Sequence, residues 1–173
     1  MTTTTGDHLN QVDLGAVDAL VEKVRQRPSA AQTTWSAEVR WTGAFRSEAA
    51  VRGFAPIASD EPRGIGGTNS APNPVEQLLA ALGNCLAVGY AANASAAGIT
   101  IRDLRIHLDG DLDLRAFLGL TDGHAGFSAI RVAVYLDTDA DEAALAELHA
   151  KVAATSPVGQ TLSKAIPVEI SPA

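Results

Sequence analysis

The sequence predicts an α+β fold, and three observations carry that expectation. Segments near residues 35–42, 104–114 and 130–137 alternate apolar and polar side chains, as antiparallel strands wetted on one face do. Between the first and second of these lies a run rich in alanine and leucine, residues 74–97, long enough for roughly six turns of helix. Strands, then a helix, then strands, then helices is the order of segregated elements and not of an alternating parallel sheet.

Taken along the chain, residues 1–10 read as a disordered tail. Asp13 can cap a helix in which Leu14, Val17, Leu20, Val21 and Val24 recur at helical spacing, and Pro28 follows its end. Trp35, Ala37, Val39 and Trp41 then form the apolar side of a strand whose polar side is Ser36, Glu38, Arg40 and Thr42. Gly43 marks a turn, with shorter extended pieces at 49–53 and 56–59. A glycine-rich loop over 62–74 leads to Asn73 as cap and Pro74 in the first turn of the long helix, which Gly98 ends. Two strands follow around an irregular stretch, 115–126. Then come a helix with Leu145, Leu148 and Val152 inward and a short helix capped by Ser156 ahead of Pro157. A final strand is expected over 166–170.

Composition narrows the function. The chain has 173 residues, the length of one domain, and its 46% hydrophobic content fits a globular protein. A net charge of -7 argues against nucleic acid or an anionic membrane as partner, since both select basic surfaces. Residues 1–13 lack the basic start and apolar run of a secretory signal, so the cytoplasm is the expected compartment. The apolar run 78–97 contains Gly83, Asn84, Gly89, Asn93 and Ser95 and lacks basic flanks, which favours a helix buried in a core over a membrane span.

The one cysteine, Cys85, excludes an internal disulfide and suits a reducing compartment. It lies about three turns into the long helix, beyond the reach of the helix dipole, so a thiolate there needs a cation from elsewhere. Glu76 sits in the first turn of the same helix. Nine residues separate the two, which places them on opposite faces and about 13 Å apart along the axis. One straight helix therefore cannot bring both into one site; a second subunit or a kink must. The histidines at 8, 107, 124 and 149 show no metal-ligand spacing, and neither a metal nor a cofactor is expected. The glycine-rich loop lacks the Gly-Lys-Ser/Thr ending of a phosphate loop.

Several of these stretches together resemble the OsmC/Ohr superfamily. They are Arg46 after Trp41-Thr42-Gly43, Asp60-Glu61-Pro62, Gly66-Gly67-Thr68, and Pro72-Asn73-Pro74-Val75-Glu76 running into Leu82-Gly83-Asn84-Cys85. The similarity spans about 35–170, dividing the chain into a tail and accessory helix, 1–30, and an OsmC-like domain, 31–173. The resemblance implies an intertwined homodimer with antiparallel sheets packed around long central helices and an active site at the interface. It also implies reduction of organic hydroperoxides by a helix cysteine, Cys85, whose thiolate an arginine stabilises and whose arginine a glutamate, Glu76, orients. Arg46 is the choice for the arginine, with Arg63 as alternative. Where many members have a second, resolving cysteine this chain has Ser156, and a hydroxyl cannot close a disulfide with a sulfenic acid. Two readings follow: a single-thiol peroxidase-like enzyme resolved by an external thiol, or a non-catalytic dimer binding an apolar ligand at the same interface.

Overall fold

The computed structural model describes residues 9–164 and 166–172. Its elements run in the order α1 (Leu14–Gln26), β1 (Glu38–Gly43), β2 (Arg46–Ala50), β3 (Ile57–Ser59), α2 (Pro74–Ala96), β4 (Ile101–Leu112), α3 (Leu114–Phe117), β5 (Phe127–Thr138), α4 (Glu142–Thr155) and α5 (Pro157–Leu162). The expected mixture of helices and antiparallel strands is what the chain forms. It divides into two compact units, one of residues Asp18–Ala80 and one of the described residues up to Val17 with those from Ala81 onward.

In the Asp18–Ala80 unit, β1, β2 and β3 form an antiparallel sheet in that order. Gly43 at φ 113° and Ala44 at φ 52° turn β1 into β2, where the sequence marks a turn. The first strand begins at Glu38, so Trp35 precedes it, and both faces are open: Val39 and Trp41 are exposed, Trp41 at 72%. The half-buried sheet the alternation predicts is therefore not completed within this chain.

Beyond β3 the chain wraps around Asp60, a carboxylate only 1% exposed. One of its oxygens accepts the Glu61 N–H; the other accepts the amides and hydroxyls of Thr68 and Ser70 at 2.5–3.1 Å. These bonds, the Thr68 hydroxyl foremost, hold the Asp60 carboxyl well below the usual carboxylate range, against the opposing effect of burial. The loop closes tightly enough that a Cβ on Gly67 would fall 1.8 Å from the Glu61 carbonyl oxygen, so only glycine fits there.

The other unit is organised by the C-terminal half of α2. Tyr90 and Ala94 pack with Ile99, Leu148 and Val152, and Leu86, Leu104, Ile106, Val134 and Leu136 close around them. Of these, Leu104, Ile106, Val134 and Leu136 are inward residues of the β4–β5 hairpin, paired from Ile101↔Thr138 to Leu112↔Phe127. Asp141 caps α4 through the Ala144 N–H. Gly98, at φ 73°, ends α2 as expected, with the Ile99 N–H returning to the Ala94 carbonyl. Burial pushes the Tyr90 phenol up, and its hydroxyl meets His149 Nδ1 at 2.7 Å.

Three expectations need correction. Of the tail expected over 1–10, residues 1–8 lie outside the described residues, but Leu9 and Asn10 are tied down. Asn10 donates to Ser95 Oγ and the Ile99 carbonyl and accepts the Ile101 N–H, which its left-handed backbone at φ 53° allows. Residues 166–170 are not a strand. Among the described residues they have no neighbouring strand, Pro167 has no N–H to give a ladder, and Ile170 is 95% exposed. Nor is α2 buried along its length: Leu82, Tyr90, Ala94 and Ser95 are, whereas Val88 is 69% exposed. Its 23 residues, with a mean hydropathy of 1.3 over an 18-residue stretch, would also suffice, by length and composition alone, to cross a membrane.

Asp60 generates a prediction. In Asp60→Asn either amide orientation sets an NH2 group against N–H donors, so the thermal midpoint should fall by several degrees in calorimetry. The sign with pH follows from the lowered carboxyl. Its stabilisation is complete above the unfolded value of about 3.9 and is lost as pH falls below it towards the native value. The midpoint difference between parent and variant should accordingly shrink on acidification from pH 5 towards pH 2; a constant difference would refute this role.

Candidate functional site

The candidate site grows out of the junction of α4 and α5. The Ser156 N–H closes the last turn of α4 on the Val152 carbonyl at 3.0 Å, and Ser156 Oγ accepts the Gly159 N–H at 3.1 Å, capping α5. With Pro157 in the first turn of α5, this is the cap that the Ser-Pro dipeptide predicts. Ser156 is thus held by two helices at once and is only 3% exposed.

Across from it, α2 presents Cys85, half-buried, with Sγ 3.2 Å from Ser156 Oγ. The close approach of α2 and α4 depends on Gly89, one turn further on. A Cβ there would stand 3.1 Å from Cγ1 of the fully buried Val152, against a side chain with nowhere to move. One turn before Cys85, Leu82 is buried, and its Cδ1 lies beside Gly159. Among the described residues the one hydrogen-bonding neighbour of the sulfur is the Ser156 hydroxyl. A thiol here can be alkylated or oxidised, but no internal thiol can resolve the product, because the chain has no other cysteine.

The remaining residues singled out by sequence belong to the Asp18–Ala80 unit, and their local surroundings differ from one another. Glu76 closes a capping box: its carboxylate accepts the Asn73 N–H at 2.8 Å while Asn73 Oδ1 accepts the Glu76 N–H at 2.9 Å. Asn73 Nδ2 also reaches Glu61 at 3.1 Å. Arg46 starts β2 with Nε 3.5 Å from the Gly43 carbonyl and lines an open groove of about 290 Å³ with Thr42, Ser47, Glu48, Ser59 and Ser70. Arg63 is exposed in a single 3-10 turn, Arg63–Ile65. Neither arginine takes part in an ion pair among the described residues. No cluster of His, Cys, Asp or Glu fit to hold a metal ion occurs among the described residues.

What sequence reasoning missed is the contact between Cys85 and Ser156, 71 positions apart. Each was singled out for its own reason, the serine as a cap and as the replacement for a thiol. Only packing at Gly89 and Val152 brings them together.

A helix cysteine facing a capped Ser-Pro turn, within an α+β framework, points to one class of protein. The model of the OsmC-like protein family matches residues 67–171, more than half of the chain, and the chain belongs to that family. Solved structures agree on the fold. An OsmC-like protein from Mycoplasma pneumoniae superimposes with a TM-score of 0.67 at 22% identity, over 76% of this chain and 89% of that one. An organic hydroperoxide resistance protein, OsmC, from Legionella pneumophila gives 0.56 at 17% identity over 76% and 91%. An organic hydroperoxide resistance protein from Elizabethkingia anophelis gives 0.54 at 16% over 75% and 89%. No curated protein matches the chain in sequence.

The geometry makes a prediction for Ser156→Cys. With the parent Sγ and Oγ 3.2 Å apart, small rotations of two side chains bring two sulfurs to the bonding distance of about 2 Å. Mild oxidation of the variant should give an internal disulfide, seen as loss of two hydrogens in the intact mass and of both free thiols. Two persistent free thiols would show that the contact is not made in solution.

Proposed function

We propose that the protein is a homodimeric, single-thiol reductase of organic hydroperoxides that takes its reducing equivalents from an external thiol. The observation that carries this reading is the half-buried thiol of Cys85 set against Ser156, the position at which the family resemblance implies a resolving cysteine. Similarity in fold to organic hydroperoxide resistance proteins supports the substrate class.

The Cys85 thiolate attacks the terminal oxygen of R–O–OH. The S–O bond forms as the O–O bond breaks, sulfur is oxidised by two electrons, and the alkoxide takes a proton from water to leave as the alcohol. An external thiol then displaces water from the sulfenic acid to give a mixed disulfide. A second thiol releases Cys85 and leaves as the oxidised disulfide. Arg46 is the guanidinium we assign to the thiolate, with Arg63 as alternative and Glu76 as its orienting carboxylate. The apolar residues Leu78, Leu82, Leu86 and Val88 of α2 favour a bulky organic peroxide over hydrogen peroxide. A cytoplasmic setting would supply the small thiols that this cycle needs.

The second copy follows from the surface that one chain leaves open. Val88 of α2, Trp35, Val39, Trp41 and Ile57 in the sheet unit, and the apolar side chains of 166–170 are all exposed. Burying a side chain of this size stabilises by about 1.5–3 kcal/mol, so a second chain covering even part of this surface gains much.

The test is turnover with cumene hydroperoxide. Peroxide should disappear catalytically only when a dithiol is added, and Cys85→Ser should abolish the loss. Without reductant, dimedone should trap one sulfenic adduct per chain, with no disulfide formed. A protein that yields no adduct and consumes no peroxide with any dithiol would overturn the enzyme reading in favour of a ligand-binding relative.

A further inference from the structure

The bonds around Ser156 leave its proton one destination. Its oxygen accepts the Gly159 N–H at 3.1 Å, which occupies one lone pair. Its own backbone N–H is spent on the Val152 carbonyl, and its carbonyl accepts the Gln160 N–H at 2.8 Å. The hydroxyl hydrogen has no acceptor among the described residues other than Cys85 Sγ, 3.2 Å away, and at 3% exposure water has little access to it. We infer that Ser156 is a positioning residue for the Cys85 thiolate: its hydroxyl, aimed by the helix cap, donates to the sulfur and favours the anionic, nucleophilic form.

The direction of donation makes the bond selective. Against a neutral thiol, either S–H or O–H can be the donor, and little is gained by either choice. A thiolate has no hydrogen, so only Ser156 can donate, and a hydrogen bond to a charged acceptor is about twice as strong as a neutral one. The cap contributes to this arrangement because the Gly159 amide holds the oxygen and fixes the direction of the remaining hydrogen. Replacement of a resolving thiol by serine thus removes one function and supplies another. The same hydroxyl is placed to hydrogen-bond the oxygen of a sulfenic acid formed on Cys85, which holds the oxidised sulfur until an external thiol arrives.

This inference rests on Cys85 being the reacting group, but its test does not require peroxide turnover. The initial rate of Cys85 alkylation by iodoacetamide at pH 7 is measured in the parent and in three variants, alongside thermal midpoints. Ser156→Ala removes hydroxyl and cap together, whereas Ser156→Gly removes the hydroxyl and preserves most of the capping. Ser156→Thr keeps both. Alanine and glycine variants should both alkylate about tenfold more slowly than the parent, although only the alanine variant loses much stability, and threonine should restore most of the rate. Alkylation in guanidinium should be equal for all four. A glycine variant that alkylates at the parental rate, or faster, would overturn the inference and leave Ser156 as a helix cap alone. The peroxidase reading would stand or fall separately on its own turnover assay.

Discussion

An apolar helix must be covered, and much of this structure answers to that need. Of the 23 residues of α2, only Glu76 carries a charge. Its C-terminal half finds cover from the β4–β5 hairpin and α4, through Leu86, Tyr90 and Ala94 against Ile99, Leu104, Leu148 and Val152. Other apolar residues of the helix remain open, Val88 among them. Monomeric proteins seldom leave such surface uncovered, and in the Asp18–Ala80 unit Trp35 and Trp41 are exposed as well. A homodimer that closes over this surface is the arrangement we propose.

The same packing positions the chemistry. Gly89 lets α4 approach α2 closely enough for Val152 to seat, and the chain leaving Val152 reaches Ser156 one turn later. The Ser156 hydroxyl then lies on Cys85 because two helices fix its backbone. In the proposed site a hydroxyl donor and a guanidinium face the sulfur. In the proposed cycle the departure from two thiols changes what resolves the oxidised sulfur, while Cys85 stays the nucleophile.

Much of this was legible in the sequence. The boundaries of α2 follow from Asn73, Pro74 and Gly98, because capping chemistry is local. Alternation over 104–112 and 130–137 gave the β4–β5 hairpin, since both strands press one face on the core, whereas Asp113 and Leu114, also expected in the strand, cap and begin α3. The failures share a cause. Alternation at Ile166, Val168 and Ile170 reports a side chain's preference for cover but not which chain provides it, so a strand was expected where this chain has none. Asp60 was invisible as a hub, because a carboxylate in a loop shows its worth only when Thr68 and Ser70 fold back onto it. For the site, the family resemblance indicated Cys85 and the lost thiol at Ser156, while their contact required the packed helices. The Glu76 capping box could have been read directly from Asn73 and the glutamate three residues on.

The central claim is that a second copy covers the open apolar surface and that the assembled particle supplies the Cys85 thiolate with its cation. The most direct measurement is a crystal structure of the particle that sedimentation shows to be present at micromolar concentration. The account predicts a dimer burying more than roughly 2,000 Å², with the Arg46 guanidinium within about 4 Å of Cys85 Sγ. A folded monomer, or a dimer in which no arginine approaches that sulfur, would contradict it.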